Sequence, residues 1–264
     1  MRFCVLSLAL PVLLAAGLAS GQTVPQDLNP LNVVPRSRPA LPEPERLQEL
    51  TPEKRGDIFM ARKMYREAIE MYRHAPQSSA VVHNKLGIAF HQLTDLRQAK
   101  KQYERAAKLN PKYAEALNNI GTVYYAQRSY RRAVSWYNKA LKAAPYSASV
   151  YSNLGTAQFA RRKYKQASEA YQKALELDPD VFEHRGGYGT LLQERTIEEK
   201  AKFHYYLAKA YAKAGAYERA LQYLRIAFEE GYRDKKKAAD EPEFAEIREL
   251  PEFQHLLTIE TRVL

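Results

Sequence analysis

The chain has 264 residues, 45% of them hydrophobic, and 41 lysines and arginines against 30 acidic residues give a formal net charge of +11. That length suits one sizeable globular unit or a repeat array, and scarce runs of valine, isoleucine and threonine favour helices over strands. The only cysteine is Cys4, inside an apolar N-terminal stretch; once that stretch is removed, disulfides, thiol catalysis and cysteine-held metal are excluded.

The N-terminal stretch, residues 1–21, has one basic residue, Arg2, then an apolar run from Phe3 to Leu18, then the small pair Ala19 and Gly21 ahead of Gln22. This is the grammar of a secretory signal peptide. An uncleaved anchor is the alternative, but the run is at the short end for spanning and Pro11 interrupts it. Cys4 precedes most of the apolar run, whereas a lipidated cysteine follows it. The expectation is an exported chain, periplasmic or secreted. Residues 22–50 carry Pro25, Pro30, Pro35, Pro39, Pro42 and Pro44, a linker composition that buries no core and is expected to be disordered. Thr51 is a good N-cap with Pro52 in the first helical position, so ordered structure is expected from there.

Gly87, Gly121 and Gly155 then recur at a spacing of 34 residues inside helix-forming text. A glycine in a helix interior costs about 1 kcal/mol relative to alanine, so three at a fixed interval mark a repeat. In register with them stand Ala99, Ala133 and Ala167, then Tyr103, Tyr137 and Tyr171, then Ala106, Ala140 and Ala174, then Pro111, Pro145 and Pro179. Leu86, Ile120 or Leu154 precedes each glycine.

These positions resemble the tetratricopeptide repeat, in units 80–113, 114–147 and 148–181. Two looser units flank them. Residues 49–79 keep Gly56, Phe59, Ala68, Tyr72 and Ala75, and 201–234 keep Leu207, Tyr211, Ala220 and Ala227, with Ala208 for the glycine and Leu224 for the aromatic. The resemblance implies an all-α fold: a right-handed superhelical solenoid of antiparallel helix pairs over residues 51–234. The glycine is expected where the first helix of a pair meets the small alanines of the second, Ala133 and Ala140 for Gly121, with Tyr124 and Tyr137 filling the remaining space.

Residues 182–200 interrupt the array. Their "GGYG" lacks the spacing of a phosphate-binding loop and follows no strand, so the segment reads as an insert at an inter-repeat turn. Thr196 and Glu199 form a capping-box pair that opens the next helix. In 235–264, Phe244, Ile247, Leu250, Phe253 and Leu257 make an apolar stripe, and Pro242 and Pro251 each open a short helix. Terminal repeats need a cap with a polar outer face, and this tail reads as that cap.

No catalytic or metal-binding motif stands out. None of the six histidines pairs at metal-ligand spacing, and His83 and His204 occupy a repeat position that elsewhere holds Leu117 and Tyr151. No enzyme activity, cofactor or metal is expected. An envelope-associated protein acting through a basic edge, and a cryptic enzyme or enzyme accessory subunit, are the alternatives to a non-catalytic adaptor.

Two surfaces are candidates for binding. Residues 80–181 hold 17 basic against 7 acidic side chains. Arg128, Arg131 and Arg132 fall in one turn between paired helices, and Arg161, Arg162, Lys163 and Lys165 in the next, so stacking would align them along one edge. Solvation explains such runs in general; the alternative is docking on an anionic envelope surface or acidic protein. Nucleic acid fits poorly with export. The resemblance also implies a concave groove lined by first helices, where Asn84, Asn118, Asn119, Thr122, Tyr125, Ser152, Asn153, Thr156 and Phe159 would face a bound protein or peptide. Asparagine offers a donor and an acceptor together and suits a peptide backbone; equally, these amides bond neighbouring repeats. Asn84, Ile88, Asn119, Ser149 and Asn153 stand where the family's carboxylate clamp has lysine and arginine, so capture of a free acidic C-terminus is not expected.

Overall fold

Thr51 opens the first helix: its hydroxyl accepts the Lys54 N–H at 3.3 Å, and Pro52 takes the first helical position. The computed structural model describes residues 50–183 and 196–258; the leader, nearly all of the proline-rich segment and the "GGYG" lie outside the described residues. The helices are α1 (Pro52–Ala61), α2 (Tyr65–Arg73), α3 (Ala80–Gln92), α4 (Leu96–Leu109), α5 (Ala114–Ala126), α6 (Tyr130–Ala143), α7 (Ala148–Ala160), α8 (Tyr164–Leu177), α9 (Ile197–Lys213) and α10 (Tyr217–Glu229). Then follow α11 (Lys235–Asp240), a 3₁₀ turn over Pro242–Ile247 and α12 (Pro251–Thr258). No strand occurs among the described residues. Helices pack within the pairs α1–α2, α3–α4, α5–α6, α7–α8 and α9–α10, and each pair packs on the next along the chain.

Each pair closes through the same three-residue turn. The N–H of the third turn residue reaches back to the helix: Met64 to the Phe59 carbonyl, Asp95 to Phe90, Ser129 to Tyr124, Lys163 to Gln158 and Ala216 to Tyr211, at 2.8–3.0 Å. This is the Schellman closure, which requires its middle residue in the left-handed region. The middle residues are Lys63, Thr94, Arg128, Arg162 and Gly215, with φ between 57° and 77°. Such short turns between contacting helices make each pair antiparallel.

The structure corrects the expected role of the glycines. A Cβ on Gly121 would lie 2.6 Å from the edge of the Tyr137 ring, and the equivalents on Gly56, Gly87 and Gly155 would lie 2.4 Å from Tyr72, Tyr103 and Tyr171. The glycine therefore makes room first for the tyrosine sixteen residues on, and the expected alanine is among the nearest neighbours only at Gly155, where the Ala167 carbonyl lies 3.2 Å from the added Cβ. Each of those tyrosines is fully buried, and in three of the four pairs the hydroxyl reaches the side chain of the residue after the glycine: Tyr72 donates to Asp57 at 2.8 Å, Tyr137 to Thr122 at 3.4 Å and Tyr171 to Thr156 at 3.5 Å. In the fifth pair Ala208 and Leu224, both fully buried, replace glycine and tyrosine together. The smaller leucine leaves space for the extra methyl.

The array continues past residues 184–195 through an aromatic junction. Phe203 on α9 meets Phe159 and Tyr171 edge to face, at 5.7 Å from each centroid, and Tyr164 stacks on Tyr206 at 4.9 Å. Arg219 bonds the Pro179 carbonyl and the Asp180 carboxylate. Thr196 accepts the Glu199 N–H at 3.2 Å to start α9. The tail covers the last pair with Phe244, Ile247, Phe253 and Leu256. Leu257 packs partly against the same core while its neighbour Leu256 is fully buried, and Leu250, between the 3₁₀ turn and α12, is 40% exposed.

Candidate functional site

Helices α5 and α7, the first of their pairs, touch each other. Along their seam runs a chain of side-chain amides. Asn153 Nδ2 donates to Asn118 Oδ1 at 3.0 Å, Asn118 Nδ2 to Asn119 Oδ1 at 3.5 Å, Asn119 Nδ2 to Asn84 Oδ1 at 3.0 Å, and Asn84 Nδ2 to the Tyr113 hydroxyl at 3.4 Å. All four asparagines are buried. Their side chains bond one another across three successive repeats, and the chain ends on the Tyr113 hydroxyl. The remaining groove candidates are drawn inward as well. Tyr125 packs on Tyr130 at 5.3 Å, Phe159 belongs to the aromatic junction, and Thr156 bonds back to the Ser152 carbonyl at 2.9 Å. Ser152 and Thr156 are buried, and Thr122, half-buried, bonds back to the Asn118 carbonyl at 3.2 Å.

Replacing Asn119 with alanine withdraws the partners of Asn84 Oδ1 and Asn118 Nδ2 inside the array. The expected result is a loss of about 1–3 kcal/mol, measured by urea denaturation followed by circular dichroism. An unchanged midpoint would show that the amide chain carries no stability.

The amide chain still reaches the surface at one place. A recess of about 70 Å³ opens between the N-terminal turns of α5 and α7, lined by Asn118, Asn119, Glu115, Ser147, Ser149 and Val150, with Ala114 and Ala144. Glu115, Ser147 and Val150 were not legible as candidates, because they precede the repeated glycine by several positions and share no common residue type. Farther along, Lys85 is held by Glu53 at 2.6 Å and Asp57 at 2.8 Å. Burial opposes its charge, but these two carboxylates raise the ammonium above its ordinary value.

The second surface lies at the turns. Arg128, Arg131, Arg132, Arg161 and Lys163 line one cleft of about 610 Å³ together with Ser129 and Tyr130, and no acidic side chain lines it. Arg162 and Lys165, which belong to the same expected edge, are exposed outside this lining. Arg161 Nη1 donates to Gln158 Oε1 at 3.0 Å, and the Arg132 guanidinium lies 5.7 Å from the centre of the Tyr124 ring. No group of histidine, cysteine and acidic residues suited to a metal ion occurs among the described residues. His83 is bonded at 2.8 Å to Gln102 and at 2.9 Å to the Gln77 carbonyl, and His204 pairs with Glu230.

Family models of the tetratricopeptide repeat match residues 84–148 and 148–181. The chain is a tetratricopeptide-repeat protein. The structure of PilF from Pseudomonas aeruginosa superposes on the array with a TM-score of 0.52 at 20% identity, over 81% of this chain and 88% of that one; the likeness is one of fold. MamA from Desulfovibrio magneticus RS-1 aligns at 21% identity with a TM-score of 0.48, over 76% of this chain and all of that one. A further MamA structure aligns at 25% identity with a TM-score of 0.46, over 54% and 84% of the two chains. No curated protein matches the sequence.

Tetratricopeptide-repeat arrays are protein-interaction scaffolds and are in general not catalysts. In this tetratricopeptide-repeat protein the recurring spacing of glycine and tyrosine is accounted for by packing within each pair. Among the described residues the α5–α7 recess and the basic cleft are two concave surfaces of the array.

Proposed function

We propose that the chain is an exported, non-catalytic adaptor that holds a protein or peptide segment across the first helices of its tetratricopeptide repeats. The observation that carries this reading is the recess between α5 and α7, where Asn118 and Asn119 meet Glu115, Ser147 and Ser149 around one opening. Amides, hydroxyls and a carboxylate in one recess offer both donors and acceptors to a peptide backbone. The signal-peptide grammar of residues 1–21 supports export.

The test has two arms. N-terminal sequencing of the native product is expected to begin near Gln22, and a start at Met1 in the membrane fraction would overturn export. The chain is then purified from its native cells together with its partner, and peptides of that partner are titrated. Ser149→Arg, which fills the recess, is expected to weaken binding about tenfold or more while leaving the melting temperature near that of the unaltered chain. Unchanged affinity in a folded Ser149→Arg variant would reject the recess as the contact.

A further inference from the structure

We propose that the basic cleft between the α5–α6 and α7–α8 turns is a docking site for an acidic, carboxylate-rich protein segment, separate from the recess between the first helices. This inference rests on the scaffold reading and adds a second contact of different chemistry.

Three observations converge on it. The first is charge. Four arginines and one lysine from two successive repeats surround one cleft of about 610 Å³ with no acid in its lining. Arg131, Arg132, Arg161 and Lys163 have no salt-bridge partner among the described residues. Lys85, Lys173 and Lys209, elsewhere in the array, do have such partners.

The second is backbone conformation. The middle residue of each turn must be left-handed, a region that glycine enters freely and that side chains resist. The fifth turn uses Gly215, with φ of 77°. At the cleft the same position is Arg128, with φ of 57°. Lys63, Thr94 and Arg162 hold the same left-handed position in three other turns, so a side chain is tolerated there throughout the array, and Arg128 is the one of them that lines the cleft.

The third is the helix ends. Ser129 and Lys163 are the N-caps of α6 and α8, and neither side chain caps its helix. Among the second helices of the pairs Asp95 closes the first turn of α4, whereas Met64 and Ala216 leave α2 and α10 open as Ser129 and Lys163 do, so what sets the cleft apart is that two such open ends from successive repeats border one lining. Uncapped N-terminal N–H groups and the helix dipole favour negative charge, and both of these helices are fourteen residues long.

Spacing favours a chain-like ligand. The cations come from two successive turns around one open cleft rather than from a single point. A lone phosphate is far smaller than the cleft, while carboxylates spaced along an extended chain can meet the arginines of both turns. Arginine forks pair bidentately with such carboxylates.

The experiment titrates a labelled oligo-glutamate peptide against the full chain by fluorescence anisotropy. In parallel arms inorganic phosphate is added as competitor and vesicles of phosphatidylglycerol replace the peptide. Arg128→Gly, which suits the left-handed turn, and the pair Arg131→Glu with Arg161→Glu are expected to weaken peptide binding about tenfold or more. Lys139→Glu with Lys142→Glu, the same charge change on the far part of α6, is expected to change it less than about twofold, and binding is expected to fall steeply with added salt. The melting temperature of Arg128→Gly is expected to equal or exceed that of the unaltered chain. Equal losses in the cleft and α6 variants would overturn the site, because only net charge would then matter. Vesicle binding that depends on the cleft residues while the peptide does not bind would overturn the peptide in favour of a lipid surface. Full displacement by dilute phosphate, with no preference for the peptide, would overturn it in favour of a small anion. None of these variants touches the recess, so failure here leaves the groove reading standing, and failure of Ser149→Arg leaves this one standing.

Discussion

Gly121→Leu is expected to destabilise the array by about 2 kcal/mol, read as a shift of the urea midpoint. A single Cβ at this position already falls 2.6 Å from the Tyr137 ring, and that ring is fully buried between α5 and α6, so it has no open space to enter. Overpacking a close-packed core costs about 1–3 kcal/mol and at times more, against which the better helix propensity of leucine returns only about 1 kcal/mol. The pairing of Ala208 with Leu224 supplies the control. Gly121→Ala and Tyr137→Leu are each expected to destabilise, the first by a clash and the second by a cavity, and the double variant to cost less than their sum by about 1 kcal/mol or more. Strict additivity would show that glycine and tyrosine are not coupled across the helix pair.

Lys209→Met is expected to cost about 3 kcal/mol. Lys209 stands at the position after Ala208, with its side chain 10% exposed, 2.7 Å from Glu241 and 3.3 Å from Glu243. Tyr205 donates to the other oxygen of Glu241 at 3.1 Å. This cluster fastens the C-terminal cap to α9. Removing one partner of a buried pair leaves an uncompensated charge, at about 3–5 kcal/mol, and the bond from Tyr205 places this case at the low end. Adding Glu241→Gln is expected to restore more than half of the loss.

The same cluster predicts a pH dependence. Burial alone would raise the Glu241 carboxyl, but the bonds and charge of Lys209, with the Tyr205 hydroxyl, bring it below its ordinary value of 4.5. A depressed carboxyl contributes stability that is fully present above the unfolded value and disappears as pH falls through the folded one. The difference between the unaltered chain and Lys209→Met is therefore expected to shrink as the pH is taken below 4.5. A difference independent of pH would mean that Lys209 acts only by packing.

Periodicity alone made the repeats legible. Gly87, Gly121 and Gly155 at a spacing of 34, with alanines and tyrosines in register, determined an all-helical array of paired helices, because a property that recurs along the chain needs no knowledge of contacts. What each repeated residue touches was not in the spacing. Ala133, Tyr137 and Ala140 stand three and four residues apart on one helical face, so all were equal candidates to meet Gly121, and only the packing of α6 on α5 chose the tyrosine. The asparagines were likewise visible as a recurrence, but a side chain on a first helix faces either the groove or the next repeat. The stacking of α5 on α7 turned Asn118, Asn119 and Asn153 toward one another. Charge was legible as a run of arginines at two turns, yet the run had no boundary. Superposing those turns gathered Arg128, Arg131, Arg132, Arg161 and Lys163 around one cleft and left Arg162 and Lys165 outside it. The sequence by itself determined the period and the residue types; the tertiary structure decided which of them meet, because neighbours in adjacent repeats are some 34 residues apart in the chain and are brought into contact only by the stacking of whole helix pairs.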